Sequence, residues 1–146
     1  MSIIVLDASV AAKWFLPAKG ETLTDEAFHL LQRYVKGEIR FVVPDLFWAE
    51  VANILWKAVR QGRSTKSAAQ TALVSLEERN LPTVSSITLL QQAFGIATAF
   101  DRTVYDSLYI ALAVESNGHF ITADQRLANA VSPQWPVKWL GAVQFQ

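Results

Sequence analysis

Four carboxylates stand where this chain could do chemistry with them. Asp7 ends the apolar run at residues 2–6, and Glu50 is the only charge between Leu46 and Trp56. Asp106 opens the run Tyr105-Asp106-Ser107-Leu108-Tyr109-Ile110-Ala111-Leu112-Ala113, and Asp124 follows His119-Phe120-Ile121-Thr122. Each lies at or near the end of an expected element. Carboxylates gathered in one place repel unless a cation joins them. Oxygen donors suit a hard divalent ion such as Mg²⁺.

Each acid also has an ordinary explanation. Asp7 sits at a strand-to-helix junction, where Asp7 and Ser9 are both capping side chains. Ser9 as the cap would free Asp7; otherwise Ser9 could hydrogen-bond the Asp7 carboxylate. Glu50, Asn53, Lys57 and Arg60 share one helical stripe, and such a stripe normally faces solvent. Its neighbours Phe47, Trp48, Ile54, Leu55 and Trp56 make that stripe narrow, as a cleft would use it. Asp106 lies in a first helical turn, where acids favour the helix dipole, and Asp101 is a nearby competitor. Asp124 can cap the next helix, and Thr122 can bond locally. Spacing alone leaves these alternatives open; the case rests on the set.

Other reactive constellations are missing. The sequence has no Gly-x-Gly-x-x-Gly, P-loop or Gly-x-Ser-x-Gly elbow. Ser9 occupies the second position of what would be an Asp-x-Asp pair. No cysteine is present, which removes disulfides and thiolate zinc sites, and His29 and His119 are too far apart in sequence to suggest a histidine-based one.

The positioning elements follow from periodicity. Strands are expected at 2–6, 41–43, 83–85, 120–122 and 137–140. Helices are expected at 9–16 before Pro17, at 22–36 with Gly37 as the stop, and from Pro44-Asp45 to about Gln61 with Gly62 after it. Further helices are expected at 65–79, at 87–99 weakened by Gly95, at 104–116 ended by Asn117-Gly118, and at 125–131. This alternation implies a three-layer α/β/α sandwich with a mostly parallel central sheet. Sites in such sheets gather beyond the carboxyl ends of the strands, where Asp7 and Asp124 should lie.

With 146 residues, 51% hydrophobic and 18% charged, the chain is expected to fold as a single domain spanning 1–146. Lys and Arg total 13, as do Asp and Glu, so a nucleic-acid partner would depend on local basic clusters. No run is long enough to span a bilayer and no signal peptide is evident, so no membrane association and a cytoplasmic location are expected. Trp14-Phe15-Leu16 and Phe47-Trp48 exceed what one small core is expected to hold, which suggests a partner-binding surface. Trp56 is expected to pack between helices.

Four segments carry a family resemblance. They are Val5-Leu6-Asp7-Ala8-Ser9-Val10, Val43-Pro44-Asp45-Leu46-Phe47-Trp48-Ala49-Glu50-Val51-Ala52-Asn53, the run from Tyr105 to Ala113, and Thr122-Ala123-Asp124-Gln125-Arg126-Leu127. In order and spacing the chain resembles the PIN-domain ribonucleases, most closely the VapC toxins of toxin–antitoxin pairs. The resemblance implies a PIN-like fold and a Mg²⁺ or Mn²⁺ site surrounded by Asp7, Glu50, Asp106 and Asp124. It selects Asp106 over Asp101, because Asp106 holds the motif position. Many relatives carry an acid directly after the Pro17 turn; here Ala18-Lys19-Gly20 precede Glu21, which departs from that pattern.

The expected reaction is metal-dependent hydrolysis of an RNA phosphodiester. Asp7, Asp106 and Asp124 would be direct or water-mediated ligands. Glu50 would bind a second metal or position the attacking water, with Ser9 and Thr122 orienting the carboxylates. Lys13, Arg102 and Arg126 are the expected RNA-backbone contacts, with Lys57 and Arg60 further along the Glu50 helix. The resemblance also implies a homodimer and a VapB-type antitoxin covering the cleft. The rival readings are a PIN nuclease for RNA processing without an antitoxin and an inactive PIN-like module that binds RNA or protein. The intact acidic set favours an enzyme over the inactive module.

Overall fold

A computed structural model describes residues 2–143. Five parallel strands form one sheet in the order β3-β2-β1-β4-β5. They are β1 (Ser2–Leu6), β2 (Ile39–Pro44), β3 (Thr83–Val84), β4 (His119–Thr122) and β5 (Val137–Trp139). The sheet is wholly parallel where the sequence suggested mostly parallel. Val5 of β1 lies opposite Val42 of β2 and Phe120 of β4.

The helices are α1 (Ala8–Ala12), α2 (Thr24–Val35), α3 (Leu46–Arg60), α4 (Lys66–Glu77), α5 (Ser86–Phe100), α6 (Val104–Glu115) and α7 (Gln125–Val131). The chain leaves β1 towards β2 and β3, then crosses back over β1 to β4 and β5. Right-handed crossovers in those two directions put helices on opposite faces, giving the expected sandwich. The direction reverses between β1 and β4. Beyond the carboxyl ends of strands at such a reversal is where sites gather in open α/β sheets, and Asp7 and Asp124 follow these two strands in sequence.

The central strands and α6 are the most heavily buried elements. Val5, Leu6, Ile110, Ala111 and Ala113 are at most 0% exposed. Burial of this kind contributes roughly 25 cal/mol per Å² of apolar surface and offsets the entropy of ordering the chain. Gly37 and Gly62 adopt φ of +77° and +75°, the left-handed turn that ends α2 and α3. Among the described residues no helix is long and apolar enough to cross a membrane.

Several boundaries differ from the sequence expectation. Pro44 is the last residue of β2 rather than the start of α3. It can end a strand because its missing N–H removes nothing the next turn needs. The helix expected at 9–16 stops at Ala12, and the chain tightens into i→i+3 turns from Lys13 to Phe15.

The aromatic residues also differ from expectation, in both directions. Phe47 is fully buried, and Trp14 donates its indole N–H to the Ala27 carbonyl at 2.8 Å. Trp14 packs against Phe41, on which Tyr34 also stacks. Trp48 donates to Thr83 Oγ1 at 3.1 Å. These rings are accommodated because the indole N–H groups find acceptors at the core margin. Trp56 instead is 53% exposed, with the Arg60 guanidinium over its ring at 5.5 Å.

Gly118 brings the end of α6 hard against β1. A Cβ there would come within 2.5 Å of the Ile3 carbonyl oxygen, which is backbone and cannot swing away. Gly118→Ala is expected to destabilise the fold by about 1–3 kcal/mol, measured by urea unfolding. An unchanged midpoint would show that β1 and β4 can separate without penalty.

Candidate active site

Asp7 occupies the β1–α1 junction and does two jobs there. As the N-cap of α1 its Oδ1 accepts the Ser9 amide N–H at 3.2 Å. Its Oδ2 accepts the hydroxyl of Thr122, at the end of the neighbouring β4, at 2.8 Å. Capping and site placement are therefore compatible. Thr122 is fully buried, and its Oγ1 also accepts the Asp124 amide at 3.1 Å. One hydroxyl thus ties the carboxylate after β1 to the backbone after β4. Asp124 caps α7 by accepting the Leu127 amide at 3.1 Å.

Glu50 and Asp106 reach this region from α3 and α6. Glu50 is half-buried, and its Oε1 accepts the Tyr109 hydroxyl at 2.6 Å. Tyr109 is 2% exposed and stacks on Phe120 with ring centroids 5.0 Å apart. Asp106 lies in the first turn of α6, where its amide donates to the capping Thr103 hydroxyl at 3.1 Å.

Electrostatics join the acids into one group. Burial pushes Asp7 up to about 6; the Thr122 and Ser9 hydrogen bonds oppose this, and the charge of Glu50 adds to it. Burial also pushes Glu50 above its ordinary range, opposed by the Tyr109 hydroxyl and reinforced by Asp106. Asp106 is raised by burial, with Thr103 and Arg102 opposing and Asp124 reinforcing. The like-charge influence therefore runs from Asp7 through Glu50 and Asp106 to Asp124. Tyr109 is held as the neutral phenol by burial and by the charges of Asp7 and Glu50.

Among the described residues, no three His, Cys, Asp or Glu side chains are drawn together closely enough to hold a metal as they stand. The donor chemistry nevertheless fits a hard divalent cation. All four groups offer oxygen, and three of them are raised by desolvation and by one another's charge, which a cation would relieve.

The basic residues fare unequally. Lys13 is 6% exposed and its ammonium binds Glu21 at 3.2 Å. Glu21 also binds Arg63 at 2.7 Å. Burial raises the Glu21 carboxyl, but Arg63 and Lys13 together hold it below its ordinary range. Arg102 is half-buried and donates to the Asp101 carbonyl at 2.9 Å. Arg126 and Lys57 are exposed, and Lys57 lines a groove of about 270 Å³ together with Ser9, Lys13 and Glu21. Asp101 is exposed in a left-handed turn after α5 and plays no part in the acid group.

Tyr109 is the residue to which sequence reasoning gave no role. Its signal was present: a tyrosine within an apolar helix must find a partner for its hydroxyl when buried. Glu50, the isolated charge in its own segment, was the available acceptor.

A family model for the PIN domain matches residues 4–132. The chain belongs to the PIN-domain family. Ribonuclease VapC3 of Pyrobaculum aerophilum is 34% identical over 127 residues, covering 86% of this chain and 92% of the relative. A crystal structure of a Pyrobaculum aerophilum protein superposes with a TM-score of 0.70 at 20% identity, covering 97% of this chain and 90% of that one. VapBC2 from Rickettsia felis, bound to a DNA fragment from its promoter, gives a TM-score of 0.64 at 14% identity, with coverage of 94% and 98%. These structural likenesses establish the PIN fold.

The raised Asp7 carboxyl gives this PIN domain a pH signature. Between about pH 4 and pH 6 the folded protein keeps a proton that the unfolded chain has released. Stability therefore falls as pH rises through that window and stays lower above it. In EDTA, Asp7→Asn is expected to be more stable than the unmodified chain at pH 7 by about 1–3 kcal/mol, the gain shrinking towards pH 4. Chemical denaturation at the two pH values checks this; an equal difference at both would disconnect the residue from the slope.

Proposed function

We propose that this chain is a VapC-type endoribonuclease. It hydrolyses RNA phosphodiester bonds with Mg²⁺ or Mn²⁺, and it is the toxin of a pair with a VapB-type antitoxin. The observation that carries the reading is the Thr122 hydroxyl that joins Asp7 to the Asp124 backbone at the β1/β4 reversal, with Glu50 tied to the same strand through Tyr109 and Phe120. The relative named Ribonuclease VapC3 supports the activity, and the likeness to VapBC2 supports an antitoxin partner.

Asp7, Asp106 and Asp124 would hold the cation, and Glu50 would hold a second one or orient the attacking water. When bound, the ion supplies Lewis acidity at the phosphate and lowers the pKa of the attacking water. Thr122 and the Ser9 amide fix both oxygens of Asp7, so its orientation is set before substrate arrives. Arg102, whose charge acts on Asp106, and the exposed Arg126 and Lys57 would meet the RNA backbone. An apolar stripe on α5, formed by Ile87 (76% exposed), Leu90 (39%) and Phe94 (59%), suits pairing with a second copy and supports a homodimer.

RNA cleavage with Mg²⁺ or Mn²⁺, with and without EDTA, tests the reading. Asp7→Asn and Asp106→Asn are each expected to lose more than about 100-fold, beyond the usual loss for removing a ligand's supporting partner. Cleavage at the unmodified rate in either variant, or in EDTA, would overturn the assigned site.

A further inference from the structure

We propose that Tyr109 is a positioning residue for this reaction: its hydroxyl holds one oxygen of Glu50 so that the other is presented to the cation and the attacking water. The inference rests on the proposed function and deepens it.

The geometry is that of a built support. The 2.6 Å bond from Tyr109 to Glu50 Oε1 lies in the short range expected of a hydroxyl donating to a carboxylate. The Tyr109 ring is nearly parallel to Phe120, at 15°, and both rings are almost fully buried, at 2% and 1% exposed. The position of the hydroxyl is therefore set by β4, a central strand of the sheet. The bond engages Oε1 and leaves Oε2 with its acceptor capacity.

The choice of acceptor is informative. A buried phenol can satisfy its hydroxyl on a backbone carbonyl. Drawing a carboxylate into the same half-buried place adds a desolvation penalty that a neutral acceptor would avoid. An arrangement that disfavours the fold locally points to a task for Glu50 at that spot.

The same strand supports the other acids. Phe120 and Thr122 are two residues apart on β4 and project to one face of it. Phe120 backs Tyr109 and hence Glu50; Thr122 holds the Asp7 carboxylate and the Asp124 amide. A single strand face thereby sets three of the four acids in register.

Tyr109→Phe keeps the ring and removes the hydroxyl. Mn²⁺ binding to the full chain without RNA, followed by electron paramagnetic resonance, should weaken about tenfold, and kcat for RNA should fall about tenfold with KM unchanged. In a Glu50→Gln background the same change should add nothing further. Phe120→Leu, which keeps the hydroxyl but loosens its backing, should give a smaller loss with the same split. Unchanged Mn²⁺ affinity and kcat in Tyr109→Phe would overturn the proposal. So would losses that add fully to those of Glu50→Gln, or a Tyr109→Phe chain that fails to fold while Phe120→Leu matches the unmodified protein. If the unmodified chain neither binds Mn²⁺ nor cleaves RNA, the proposed function itself falls and the positioning role falls with it. If it does both and only the Tyr109→Phe effects are missing, the function stands and the positioning role alone fails.

Discussion

The burial of carboxylates around the β1/β4 reversal, with their mutual repulsion the smaller part, is the constraint that the surrounding structure has to hold. Asp7, Glu50 and Asp106 are all raised by burial and by a neighbouring acid. A fold gains nothing from such a group, since each acid would be better solvated apart. It persists because the surrounding structure fixes it. β1 and β4 are paired in register from Ile4 to Leu6, α6 is buried through most of its length, and hydroxyls from Thr122 and Tyr109 reach the acids from within that framework.

The hydrogen bonds that Asp7, Glu50 and Asp124 accept all come from uncharged donors. Hydroxyl and amide donors stabilise a carboxylate without neutralising it, as an arginine or lysine partner would. The contrast with Glu21 makes the point. Glu21 lies between Lys13 and Arg63, is held below its ordinary range and is structurally committed. Asp7 receives a hydroxyl and an amide N–H and remains raised, with its charge still in need of a partner. Two acids separated by a short stretch of chain are thus sorted into different roles by the donors around them.

Much of this was legible in the sequence because it depended on local rules. The strand at 2–6, the helix stops at Gly37 and Gly62 and the α6 segment follow from apolar runs and left-handed turn residues. The placement of Asp7 and Asp124 follows from topology, since acids after adjoining parallel strands share an edge. What stayed hidden depended on pairing between distant segments. That Lys13 is enclosed by Glu21, that Trp14 finds the Ala27 carbonyl, and that Tyr109 meets Glu50 are contacts no periodicity reports. Trp56 was misjudged for the related reason that helical position does not reveal which face a neighbour covers.

The Glu21 ion pairs carry a consequence for the groove lined by Ser9 and Lys57. They fasten the segment after Pro17 to the end of α1 through Lys13 and to the turn that follows α3 through Arg63, and both are more enclosed than the surface pair of Arg33 and Glu38. Mobile ions screen enclosed charges far less than open ones. The wall of the groove should therefore keep its shape at ionic strengths that screen the exposed Lys57, so its width and its surface charge are two separately adjustable properties.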